Sequence, residues 1–372
     1  MDFTWIDSTA AVTELVDTCT RAPWVVLDLE ANSMYVYREQ VCLIQINAGG
    51  RLFVLDTLAL PAEPATLAGL KPLLENPQKP LWVHGGEYDV GCLKRDFAIT
   101  PRGIFDSQQA ASFLGWEKTG YGAIIERICN VVLPKGHSQY DWATRPLDPS
   151  ALAYAVDDVR YLPDAVQHLQ EAIKAADLEE EVAIANATVE NSTWSGGFDA
   201  SGFWRLKGIR DLNDRALPTL AGLWAWRDER AHEANLPPGR LIANDALLAI
   251  ARNAPTNYGG FKKLGLKSWV LQAHADSLVE LMKAVRENPP AIPERPGRRD
   301  VTEAERLREI RLKDWRRSEA EKRGVPLQVV LPAKALEYLK QHSGDDLSHV
   351  PQFGNKRRER YGSALQRVCS SP

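Results

Sequence analysis

Apolar and polar positions along this chain fall into two regimes. Between Trp24 and Asp106 the apolar residues come in short runs: Trp24-Val25-Val26-Leu27-Asp28-Leu29-Glu30, Cys42-Leu43-Ile44-Gln45-Ile46, Leu52-Phe53-Val54-Leu55-Asp56, Pro80-Leu81-Trp82-Val83-His84 and Ile104-Phe105-Asp106. Runs this short, bounded by turn residues such as Asn47-Ala48-Gly49-Gly50, predict strands, the first three forming an antiparallel meander. Helical spacing intervenes. A helix interrupted at Pro72 is expected over Leu67 to Leu74, and others over Glu87 to Leu93 and Ala110 to Leu114. Asp148-Pro149 places an acceptor at an N-cap and proline at N1, which predicts a helix running through Tyr154 and Asp158 towards Leu169. Strand and helix alternating after an opening meander indicate a mixed α/β layer. Beyond residue 206 the pattern is helical apart from a proline-rich stretch at 288–300.

At 372 residues the chain exceeds one ordinary core and should divide into two or three domains. No apolar run approaches the roughly 18 residues that a membrane span requires. Met1-Asp2-Phe3-Thr4-Trp5 has neither a basic segment nor an apolar one of the secretory kind, so a cytoplasmic protein is expected. The five cysteines are scattered, odd in number and never spaced C-x-x-C, which argues against both a disulfide framework and a zinc site. A net charge of −4 conceals an asymmetry: residues 1 to 170 hold 13 Lys+Arg against 21 Asp+Glu, a net of −8, and the remainder a net of +4.

The acidic half carries the candidate chemistry. In a strand, Asp28 and Glu30 share one face while Leu27 and Leu29 take the other. Two carboxylates about 4 Å apart repel by roughly 4 kcal/mol at an effective dielectric near 20, and a divalent cation removes that repulsion. Asp89 is expected in the first turns of a helix just past a strand and a Gly-Gly turn. Tyr154 and Asp158, four apart, lie one above the other on one helical face.

Taken in order, Asp28-x-Glu30, His84-Gly85-x-x-x-Asp89 and Tyr154-x-x-x-Asp158 resemble the three exonuclease motifs of the DEDDy nucleases. Leu43-Ile44-Gln45-Ile46, Asp141-Trp142-x-x-Arg145-Pro146-Leu147 and Phe203-Trp204-Arg205 narrow the resemblance to the ribonuclease D family, over residues 3 to 206. It implies an RNase H-like fold, a mixed sheet flanked by helices, with two divalent ions (Mg²⁺ or Mn²⁺) held by Asp28, Glu30, Asp89 and Asp158. Asp28 would bridge both ions, and Tyr154, with an ordinary pKa near 10, would orient the attacking water rather than act as a base. His84, Lys135 and Arg145 are candidate contacts to the nucleotide or its phosphates. Asp106, at another strand end, is expected to be structural.

The second half repeats at an offset of 89 residues: Trp226-Arg227, Ala231, Pro237 and Ala246-Leu247 recur as Trp315-Arg316, Ala320, Pro326 and Ala335-Leu336. Leu223-Trp224-Ala225-Trp226-Arg227-Asp228-Glu229 and Pro237-Pro238-Gly239-Arg240 resemble the HRDC module, a contact domain for nucleic acid or protein. Residues 298 to 372 hold 17 Lys+Arg against 11 Asp+Glu, and Lys356-Arg357-Arg358 with Arg360 form a compact basic group suited to phosphate. The expected organisation is therefore an α/β exonuclease domain at 1–206, a first all-α HRDC domain at 207–287, a proline-rich linker at 288–300 and a second HRDC-like domain at 301–372. The expected activity is metal-dependent 3′ to 5′ trimming of RNA with a single-stranded 3′ end, tRNA precursors above all, with release of 5′-mononucleotides. A DNA-directed exonuclease and a catalytically silent nucleic-acid scaffold are the alternatives.

Overall fold

The computed structural model describes residues 2–61, 67–134, 136–295, 297, 300–342 and 346–370. Six strands, β1 (Thr4–Ile6), β2 (Val25–Ala31), β3 (Val41–Ala48), β4 (Arg51–Asp56), β5 (Leu81–Val83) and β6 (Ile104–Asp106), form one sheet in the order β1-β4-β3-β2-β5-β6. The meander is present as expected: β2 pairs antiparallel with β3, and β3 with β4. β1, β5 and β6 add parallel pairs at the two flanks, so the sheet is mixed. Around it lie α1 (Thr9–Arg21), α2 (Lys71–Leu74), α3 (Glu87–Phe97), α4 (Ser107–Phe113), α5 (Tyr121–Cys129), α6 (Pro149–Arg160), α7 (Leu162–Ala175) and α8 (Glu179–Glu190).

Both sheet faces are covered, each by its own core. Val25, Leu27 and Leu29 of β2 point into a core shared with α1 and α3, whereas Val26 points into a second core built on α4 to α7. The alternation therefore delivers Asp28 and Glu30 to the α6 side. Beside Glu30 the β2–β3 ladder shifts register: Glu30 pairs with Leu43 and Ala31 with Val41, leaving Cys42 as the extra residue. A bulge of this kind redirects side chains at the strand end, and such bulges are common beside active sites.

One expectation changes. The helix beginning at Pro149 does not run on to Leu169: it stops at Arg160, and α7 begins at Leu162 with Pro163 in its first turn. Pro163 has no N–H to give the carbonyl four residues back, that of Val159. Asn47 of β3 supplies the donor instead, Nδ2 to Val159 O at 3.1 Å. The break thus ties the C-terminal end of α6 to the sheet, one residue past Asp158.

The chain forms two compact units: residues 1–31, 41–195 and 300–372 in one, 32–40 and 196–299 in the other. In the first, α14 (Glu303–Arg323), α15 (Leu327–Val330), α16 (Ala333–Gln341) and α17 (Gly354–Ser370) pack on the sheet domain, with Val329 buried in the core of α4 to α7. Gln328 Nε2 donates to Ser112 O at 2.9 Å, and Glu180 accepts the N–H groups of Asn355 and Lys356 at the start of α17. In the second, α9 (Leu217–Ala234), α10 (Pro238–Leu241), α11 (Asn244–Asn253), α12 (Tyr258–Lys263) and α13 (Ser268–Glu287) enclose a core of their own. Tyr37 joins that unit through a 2.8 Å hydrogen bond from its hydroxyl to Asp228. The repeat holds in three dimensions, since α15 and α16 begin 89 residues after α10 and α11.

The basic group expected at 356–360 is not a free patch. Arg357 is buried, donating to the carbonyls of Val329, Gln328, Gln352 and Phe353. Lys356 pairs with Asp177 and Glu179, Arg360 with Asp177, and Arg358 donates to Asn355. Lys356 and Arg360 thus fasten the second helical module to the acids around the α7–α8 junction, while Arg357 and Arg358 bond within it. Among the described residues, no helix is long and apolar enough to cross a membrane.

Candidate active site

Asp28 and Glu30 from β2 meet Asp158 from α6, with carboxylate oxygens that all lie within 4.8 Å of one another. Asp89 stands outside that group but close enough to be felt. Its charge, after those of Asp28 and Asp158, opposes ionisation of Glu30, and its own carboxyl is held well above the ordinary range by burial and by Asp28, Asp106 and Asp158. Burial raises Asp28 to about 7 against a hydrogen bond from the Leu29 N–H, and burial with the Asp28 charge raises Asp158 to about 9. Glu30 is pushed up to about 10 by burial first and the neighbouring acids second. Bare, the four groups resist carrying their charges together. The donors are all carboxylate oxygens, which is the set that hard divalent cations take, so the residues fit Mg²⁺ or Mn²⁺.

A pH dependence follows. Unfolded carboxyls titrate near 4 and these folded ones well above it, so between those values the folded state holds more protons than the unfolded. Stability of the metal-free protein is fullest below the unfolded value and falls as pH rises through the folded ones. Protons compete with cations for the same oxygens. We expect melting in EDTA to fall from pH 6 to pH 8, and the gain on adding Mn²⁺ to be larger at pH 8. A gain that does not grow with pH would contradict this coupling.

Each acid is positioned by its surroundings. Asp89 sits in the first turn of α3, which emerges from Gly85-Gly86. Gly85 has φ +62, and a Cβ on Gly86 would lie 2.8 Å from Val83 Cγ2, so that turn needs its glycines. It is clamped by Asp106, fully buried, whose carboxylate accepts the N–H groups of Gly85 (3.1 Å), Gly86 (2.9 Å), Gln108 (2.8 Å) and Gln109 (3.2 Å). Asp106 is therefore structural, as its place at a strand end suggested, and it sets the start of both α3 and α4.

Tyr154 stands one helical turn before Asp158, and burial first, then the charges of Asp158, Glu30 and Asp28, drives its pKa above the ordinary value for tyrosine. Tyr154 stays a neutral phenol whose oxygen lone pairs remain able to accept from water. His137 and Trp142 flank its ring, at 5.6 and 6.3 Å between centroids, and Tyr140 packs edge-on against both of them. His84 is neutral, its pKa lowered to about 4 by burial. Its Nδ1 lies 2.8 Å from Ser107 Oγ, which donates to Val83 O, so Nδ1 carries the proton and Nε2 is left as an acceptor.

Arg145 is committed elsewhere: Nε and Nη2 grip Asp56 at 2.7 and 2.6 Å, and the remaining donors reach the carbonyls of Trp142, Thr144 and Cys42. Lys135 lies outside the described residues. Two neighbours escaped the sequence reading. Tyr121 donates to Asp157 O at 2.7 Å, packs edge-on against His84, and feels the charges of Asp158 and Asp28. Gln45 pairs across the ladder with Asp28 and is wholly buried. Tyr121 has no local signature, but Gln45 could have been found, because a lone amide in an apolar strand beside the acids stands out.

A family model described as a 3′-5′ exonuclease matches residues 3–174, and an HRDC domain model matches 217–282 and again 306–369. Ribonuclease D of Shewanella sp. is 31% identical over 297 residues, 78% of this chain and 74% of that protein. Ribonuclease D of Gluconacetobacter diazotrophicus is 29% identical over 260 residues, 70% of this chain and 65% of that relative, just under two thirds of its length. The crystal structure of Escherichia coli RNase D superposes over 99% of this chain and 98% of that one, with a TM-score of 0.74 at 23% identity, which establishes a shared fold.

Proposed function

Because the chain belongs to the ribonuclease D family of 3′ to 5′ exonucleases, we propose that it trims the single-stranded 3′ ends of RNA, tRNA precursors foremost, with Asp28, Glu30, Asp89 and Asp158 as metal ligands and Tyr154 at the attacking water. The observation that carries this reading is the convergence of Asp28, Glu30 and Asp158 within 4.8 Å, from strand and helix 128 residues apart in sequence. Divalent cations in such a centre lower the pKa of water and absorb charge on the leaving 3′ oxygen.

The protein's own groups do the rest. Tyr154, one helical turn from Asp158 and packed between His137 and Trp142, offers its phenol oxygen to a water on the α6 side and fixes the direction of attack. Held this way, the phenol contributes orientation without releasing its proton. His84, with Nε2 free as acceptor, is placed to meet a hydroxyl or amino donor of the terminal nucleotide.

We expect Tyr154→Phe to lower turnover by about 100-fold while RNA affinity changes less than twofold, since one orienting hydrogen bond is lost and no ligand. Single-turnover digestion alongside equilibrium binding checks it; a variant as fast as the parent removes the role. The reading as a whole is tested by digesting end-labelled RNA and matched DNA with Mg²⁺, with Mn²⁺ and with EDTA. Stepwise release of 5′-mononucleotides from RNA 3′ ends, silenced by EDTA, is the expected result. Preference for DNA, or no metal-dependent release, overturns it.

A further inference from the structure

In the unit formed by residues 32–40 and 196–299, a groove of about 860 Å³ opens where the segment preceding α9 meets the proline-rich linker. Neither half lies within the HRDC match, which begins at 217 and ends its first copy at 282. We infer that this groove binds a nucleotide of the RNA chain away from the reacting 3′ end, taking its phosphate on arginine and its base on a stacked aromatic platform. The inference rests on RNA being the substrate.

Three guanidinium groups line the groove, those of Arg205, Arg210 and Arg295, against one carboxylate, that of Asp214. Arg205 is engaged with Asp199 at 2.9 Å, while Arg210 is exposed and has no ion-pair partner among the described residues. An exposed arginine with no acid to satisfy it presents a planar fork that matches a phosphate.

The platform is Trp204. Its indole packs on Phe203 at 4.9 Å, its Nε1 donates to Pro293 O at 3.0 Å, and the Arg295 guanidinium lies over its ring at 5.4 Å. The hydrogen bond to the linker fixes the indole, and Arg295 adds a second flat, cationic plane. Bases of single-stranded RNA stack on aromatic rings and on guanidinium planes alike, without regard to sequence. Leu212 supplies an apolar wall. A fixed indole, a stacked guanidinium and an unpaired arginine around one groove are the parts that a single-stranded nucleotide needs.

The test is binding of a labelled RNA of about 20 nucleotides to the full chain in EDTA, by fluorescence anisotropy across a salt series. Arg210→Glu combined with Arg295→Ala should weaken binding about tenfold at low salt and reduce the slope of log K against log salt by about one. Arg210→Lys, which keeps the charge, should restore most of the slope, and an unchanged circular dichroism spectrum excludes misfolding as the cause. Cleavage of a trinucleotide should be unaffected in all variants. An unchanged affinity and slope for the long RNA would overturn the inference. So would competition by a free mononucleotide as effective as by RNA, which would make the groove a small-ligand site. Because binding is read without metal, a failure here is distinguishable from a failure of the exonuclease reading.

Discussion

Asp28→Asn should reduce exonuclease turnover about 10³-fold and, in the same protein, raise the melting temperature in EDTA at pH 8. The loss follows from removing one of the proposed metal ligands: a ligand to the cation is worth several kcal/mol of transition-state charge stabilisation, and each 1.4 kcal/mol is about tenfold in rate. The gain in stability follows from the same crowding. Burial is the main cause that raises Glu30 and Asp158, but the Asp28 charge is the largest neighbouring one for each. Asparagine keeps the shape and removes that repulsion. Activity assays with melting curves in EDTA and in Mn²⁺ separate the two effects: the variant should also lose most of the Mn²⁺-dependent gain. A variant that is inactive but melts lower than the parent in EDTA would mean that Asp28 is chiefly structural.

Asp106→Ala should destabilise the fold by about 4 kcal/mol, because it deprives four backbone N–H groups of their acceptor in a fully buried place and removes the N-cap of α4. Under conditions where the variant remains folded, its activity should fall at least tenfold, since the turn that launches α3 and Asp89 is no longer clamped. Asp106→Asn, which keeps one acceptor oxygen, should fall between the parent and the alanine variant on both scales. Urea unfolding and Mn²⁺-dependent digestion measure them. Wild-type stability in the alanine variant would show that the four hydrogen bonds are replaceable.

Much of this site was legible before any fold was known, and for a definite reason. Asp28 with Glu30, and Tyr154 with Asp158, are local pairs whose shared face follows from the two-residue period of a strand and the 3.6-residue period of a helix. The meander was legible for the same reason, and the duplicated module because its offset of 89 survives into α10/α15 and α11/α16. What was not legible depends on partners distant in sequence. Pro163 signals a helix break, but nothing near it says that Asn47 will take the freed carbonyl of Val159 and so hold α6 in place. Arg357 reads as one of four surface bases, yet it is buried among carbonyls of α15 and of the residues just before α17, partners that only the folded module brings together. β1 is only three residues long, and although Val12, Leu15 and Cys19 of α1 are spaced to share a helical face, the strand runs drew the reading past them. Asp106 could be judged structural from its position, but its four amides come from two turns that only the folded sheet brings together.

The most direct test is anomalous diffraction from crystals of this protein soaked in Mn²⁺. The account predicts two peaks about 4 Å apart, at about 2.1 Å from carboxylate oxygens, with Asp28 touching both, Glu30 and Asp158 on one, and Asp89 serving the other. Peaks elsewhere in the molecule with none among these four side chains, in an otherwise undisturbed fold, would contradict it.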